Sequence, residues 1–277
     1  MNLLRLSSRL VVIGALLAAM PVTLPRLAHA RVVVQAEEDA ATHTWQLQFK
    51  KGDVLKYRTV TNITGPLPND QGDFHVDVTT LLSQEVKNLS EKGEATVVTT
   101  IQKNEAAING QKLPDDPAQY PIITEVFSKN GLVLKHEVEN AQPGLEKFDD
   151  LTAMLSNMPT PDKPVKIGDS WKTELENRLV KGKKVTLTST LVGKEKVGDA
   201  DTFKVKVETE IPMMEDAGEK DTIKVAGTYN IDAAAGRFLR ADYTVENAEL
   251  PTQVGPVRVK VKQTVNYVAP GSENEEK

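Results

Sequence analysis

From Trp45 to Tyr267 this chain alternates apolar and polar residues over long runs. Phe74, Val76, Val78, Thr80 and Leu82 lie two apart, as do Ala95, Val97, Thr99 and Ile101. Later come Val185, Leu187, Ser189 and Leu191, then Phe203, Val205 and Val207, and finally Val257, Val259 and Val261. Lys, Thr, Glu and Arg fill most of the positions between. A period of two puts one residue set in a core and the other in water, which is the habit of an antiparallel sheet. Matching runs to that template predicts about 11 or 12 strands. The expected fold is mainly β, with long antiparallel strands in a strongly curved sheet, a half-barrel or two similar β halves.

One segment breaks the period. Leu145, Phe148, Leu151, Met154, Leu155 and Met158 recur at helical spacing. Pro159 and Pro161 end the pattern. This predicts one central connecting helix, packed on the sheet or acting as a lid over an apolar cavity. The organisation that follows is a signal peptide at 1–30, a flexible lead-in at 31–43, a first β half at 44–140, helix and Pro-rich linker at 141–164, a second β half at 165–269 and an acidic tail at 270–277, expected to be disordered.

Each half opens on the same words. Gly52-Asp53-Val54-Leu55-Lys56-Tyr57 precedes the first set of strands and Gly168-Asp169-Ser170-Trp171-Lys172-Thr173 the second. Each set closes on a Gly turn and a last strand, at Gly131 and at Gly236. The order suggests an internal repeat, although identity between the halves is low.

Arg5 and Arg9 precede an apolar run, and Ala28-His29-Ala30 offers a small-x-small cleavage site. That is the pattern of a secretory signal peptide. The run is short for a bilayer span, so the mature chain is expected to carry no transmembrane anchor and to be periplasmic or extracellular. There is no Cys, which removes disulfides, thiolate ligands and a lipid-modified N-terminal Cys. The formal charge is −5, and losing a leader with three arginines and no acid makes the mature chain more acidic. Nucleic acid is therefore excluded as a partner.

Gly168-Asp169-Ser170 imitates the nucleophile context of Ser hydrolases, but Trp171 fills the space an oxyanion hole requires and no His follows Ser170. Val54 stands at the same place in the first copy, as a structural turn allows. The pairs His75 with Asp77, His136 with Glu137, Asp115-Asp116 and Asp149-Asp150 lack recognised ligand spacing. No Gly-rich phosphate loop joins a strand to a helix. The expectation is a non-enzyme with no catalytic residue, no metal and no cofactor.

The run Met158 to Trp171, with Pro164-Val165-Lys166-Ile167-Gly168-Asp169-Ser170-Trp171 at its end, resembles an uncharacterised family of exported bacterial β-rich proteins carrying a Pro-Val-x-x-Gly-Asp-x-Trp segment. The resemblance implies an envelope or secreted location and no known activity. The functional expectation is a binding protein of the bacterial envelope holding an apolar small molecule or lipid on a curved sheet. Its lining would come from Phe203, Val205, Val207, Val225, Tyr229 and Tyr243, with Met154 and Met158 from the helix. The rival is a structural or protein-interaction module with a filled core, contacting an envelope protein, for which Met213-Met214 would be an adaptable contact.

Overall fold

The computed structural model describes residues 41–67, 72–252 and 255–270. The leader, most of the lead-in and all but the first residue of the tail lie outside them. Alternation becomes sheet throughout. The strands are β1 (Val54–Pro66), β2 (Asp73–Leu89), β3 (Ala95–Ile108), β4 (Gln111–Lys112), β5 (Ile122–Phe127), β6 (Val133–Glu139), β7 (Ser170–Glu176), β8 (Lys184–Val197), β9 (Ala200–Pro212), β10 (Thr222–Asp232), β11 (Phe238–Thr252) and β12 (Gly255–Val268). They form one sheet in the order β6-β5-β3-β2-β1-β12-β11-β10-β9-β8-β7, with β4 on β3. All pairings are antiparallel. The sheet is not closed into a barrel, because β6 and β7 stay unpaired at opposite edges.

This order explains the helix. Chain-adjacent strands are mostly neighbours, but β6 and β7 lie at the two extremes of the sheet. Their connection therefore has to cross the interior side, carrying α1 (Glu146–Leu155) with it. Leu145, Phe148, Leu151 and Met154 are buried there in one core cluster that also takes residues from strands of both halves.

The repeated Gly-Asp phrase builds the same turn twice. Gly52 (φ 88°) and Gly168 (φ 94°) both occupy the left-handed region, which favours glycine. Gly52 N–H donates to Val86 O at 2.9 Å and Val86 N–H returns to Asp53 O at 2.9 Å. In the second copy Gly168 N–H donates to Leu191 O at 2.8 Å, and Leu191 N–H returns to Asp169 O at 3.0 Å. Each Asp N–H also donates three residues back, to Lys50 O and Lys166 O. The phrase pins the start of a half to its second strand.

One expectation needs correction. Trp45, Leu47 and Phe49 alternate as a strand would, yet this segment joins no ladder. It lies across the interior as an extended strap. Gln48 N–H donates to Gly236 O at 2.8 Å, and His43 pairs with Val165 in an isolated bridge. Trp45 stacks on Phe203 with centroids 4.8 Å apart and meets Trp171 edge-on at 5.7 Å. Alternation here reports burial against a sheet rather than membership of one.

Candidate functional site

Among the described residues, three pieces roof the interior of the sheet: α1, the segment 156–165 behind it, and the strap at 43–49. The segment behind α1 is tied to both halves. Met158 N–H donates to Gly131 O at 2.8 Å and Thr160 N–H to Asn130 O at 3.0 Å, both at the β5–β6 turn. Gly131 (φ 78°) has no room for a side chain, since a Cβ would collide with the Met158 carbonyl. From the other half, Trp171 Nε1–H donates to Pro159 O at 3.1 Å and the Tyr229 hydroxyl to the same oxygen at 3.3 Å. The C-terminal end of α1 is thus anchored. Its N-terminal half is held by apolar burial and by an exposed Lys147–Glu249 ion pair at 3.1 Å.

Between α1 and the second half lies a void of about 20 Å³. Met154, Leu155 and Asn157 border it from above, and Leu175, Val185, Leu187, Val207, Thr209, Ile211, Val225 and Tyr243 from the sheet. Its lining is almost wholly apolar. Burial pushes the Tyr243 and Tyr229 hydroxyls well above the usual tyrosine range, so both stay neutral and supply no charge. Tyr243 lies over Gly227: a Cβ there would collide with the ring and with Asp242 O. The second half's interior is therefore fitted to one aromatic ring at that point.

The eight residues chosen from sequence all lie buried in this single core. Met154, Val207, Val225 and Tyr243 border the void. Phe203 packs under Trp45, Tyr229 packs on Phe238, and Val205 and Met158 are buried in the same cluster away from the void lining. Leu175, Val185, Leu187 and Ile211 were missed. Their alternation was visible, but their meeting depends on a strand order that alternation does not contain.

Sequence reasoning also missed a polar cluster. His136 was weighed with its neighbour Glu137, but successive strand residues face opposite sides. Glu137 points out and pairs with Lys135 at 2.8 Å. His136 points in, where it meets Glu125 directly across β5 with Nδ1 3.0 Å from Oε1. Asp149 on α1 comes to the same place, and its burial raises its carboxyl to about 6 against the opposing pull of His136. Asp150 is also raised by burial, with Arg178 opposing.

The other tempting chemistry lies on the outer face. The Ser170 hydroxyl is exposed and 2.8 Å from the Thr190 hydroxyl. Asp77 accepts from Asn62 at 2.7 Å. An open trough of about 750 Å³ over β7 to β11 is lined by charged side chains such as Lys172, Glu208, Lys224 and Glu246 together with Val185, Pro212, Val225 and Ala226, a mixed polar and apolar surface. Met214 is exposed, and Met213 is half-buried with its sulfur accepting from Arg258. No group of three or more His, Asp or Glu side chains among the described residues is placed to hold a metal. No helix among them is long and apolar enough to cross a membrane.

No family model and no curated protein matches the chain. Among the solved structures similar to the chain are three at low identity. Lipovitellin, in a study of its lipid–protein interactions, matches with TM-score 0.45 and 10% identity over 80% of this chain. This chain spans 25% of that one. A protein with a YmcC-like fold from Bacteroides fragilis NCTC 9343 matches with TM-score 0.30 and 16% identity, over 79% of this chain and 97% of that one. DynF of the dynemicin biosynthesis pathway of Micromonospora chersina matches with TM-score 0.25 and 10% identity, over 91% of this chain and 97% of that one.

Proposed function

We propose that this chain is an exported, non-enzymatic binding protein of the bacterial envelope, which holds an apolar ligand between α1 and the interior face of β7 to β11. One observation carries the reading. A sheet of this size normally covers its apolar face with a second sheet or a layer of helices. Among the described residues the cover is one ten-residue helix and two extended segments. A helix that short has little stability of its own, so it stays in place only by packing. Lifting it uncovers a continuous apolar floor.

The void as it stands is closed. A ligand pocket runs to roughly 300 Å³ or more, so binding requires α1 to move while the anchored segment behind it stays. Met154 at the roof suits such repacking, because an unbranched thioether fills irregular gaps. The outward-facing Ser170 and the buried ring of His136 support the absence of catalysis.

The rival reading, a filled-core interaction module, is favoured by the small volume of the void and by Trp45 packing between Phe203 and Trp171 in the same core. Native mass spectrometry of the mature chain isolated from its own envelope separates the two. A co-purified adduct of several hundred daltons, lost on denaturation, supports the ligand reading. A bare chain that also takes up no acyl probe after delipidation leaves the filled core.

A further inference from the structure

The void is apolar, but α1 is seated on it beside buried charge. The side chains of Glu125 and His136 are 1% and 4% exposed. Glu125 Oε2 and His136 Nε2 are buried and without a hydrogen-bond partner among the described residues, and so is Asp149 Oδ1 on α1. Behind Glu125, β3 presents only Val97. On α1, Glu146 and Asp150 add negative charge, and Arg178 beyond β7 opposes it at Asp150.

Proton accounting gives the cluster a direction. Asp149 carries its carboxyl into this buried region with one oxygen unpaired, so its charged form is the costly one. Asp149 shows the sign. Its carboxyl titrates near 6 when seated and nearer its ordinary 3.8 when α1 is lifted into water. Seating is therefore penalised above about pH 6, and the penalty fades as pH falls toward 4. The seated state binds more protons than the lifted one.

We propose that Asp149, seated beside the buried Glu125–His136 pair, forms an acid-strengthened latch, holding α1 over the apolar void at low pH and loosening it as pH rises through the mildly acidic range. Its role as a gate rests on the ligand reading above; the latch itself does not.

The test is amide hydrogen exchange of the mature chain between pH 5 and 7.5, corrected for intrinsic rates, comparing α1 with the central strand β10. The latch requires the opening constant of α1 to rise about threefold to fivefold across that range while β10 stays level. Asp149→Asn, at a half-buried position, should remove most of the rise and keep α1 shut at pH 7.5. An α1 opening constant that ignores pH, or a full rise retained in Asp149→Asn, overturns the latch. Because no ligand enters the measurement, a failed acyl-probe titration leaves the latch standing, and a flat exchange profile leaves the ligand reading standing.

Discussion

The two halves begin with the same turn and finish with different interiors. Across the sheet one register row runs Asn104, Thr80, Thr59, Val265, Ala241, Tyr229, Val205, Leu191. All eight are buried on the same face. The row is polar through β3, β2 and β1, and changes to apolar and aromatic at β12. The next row is apolar at Ala106 and Val78, polar at Thr61 and Gln263, and aromatic or apolar again at Tyr243 and Val207. Thr80 donates to Asn104 at 2.7 Å and Gln263 to Thr61 at 3.2 Å, so the polar patch is partly satisfied from within. Glu125 and His136 belong to the same half. The first half thus sets a polar patch and a charged seat among apolar residues such as Ile63, Val76 and Ile108, and the second supplies the apolar floor. A shared backbone plan does not dictate a shared interior.

If that division is real, equivalent cuts must have unequal effects. The largest is expected at Leu191, fully buried beside the second Gly-Asp turn. Leu191→Ala should cost about 3 to 4 kcal/mol in urea unfolding, the range for a large side chain removed from a rigid core. Gly227→Ala follows at about 2 to 3 kcal/mol, because the added methyl meets backbone and an aromatic ring that cannot both withdraw. Asp149→Asn should stabilise the chain by about 1 kcal/mol at pH 7.5, a figure reduced for the partial exposure of the group, and the gain should vanish below about pH 4. Urea unfolding at the two pH values checks both magnitude and sign.

The smallest effect carries the sharpest contrast. Thr59 Oγ1 is buried with no partner among the described residues. Thr59→Val removes an unpaired hydroxyl from a place of the same shape, so it should be neutral or stabilising by up to about 1 kcal/mol. A loss comparable to that at Leu191 would mean that the polar patch is held together by that hydroxyl, and the division between halves would have to be redrawn.

Much of the fold was legible because alternation and helical spacing are local. The strand faces, the single helix and the Gly turns follow from neighbours within a few residues. The repeated Gly-Asp phrase was legible as a structural turn because Val54 replaces Ser170 in the other copy. The site was less so. Val207 and Val225 were named, but Leu187 and Ile211 could not be ranked above other apolar strand residues without strand order. His136 was seen beside Glu137, whereas its partner Glu125 lies 11 residues away across a hairpin. The Trp45 strap carried a strand's pattern and none of its hydrogen bonds, because burial against a sheet imposes the same period as membership in it.

The claim that the apolar floor of the second half is a ligand site under a movable helix is tested most directly by titrating a fluorescent fatty-acyl probe into the delipidated mature chain and into Val207→Trp, with thermal unfolding confirming that the variant is folded. Val207 borders the void from the sheet side, and a Trp there would occupy the space that α1 uncovers. Saturable uptake near one probe per chain, weakened tenfold or more in the folded variant, is the predicted result. No uptake by the parent chain, or equal uptake by both, would contradict the account.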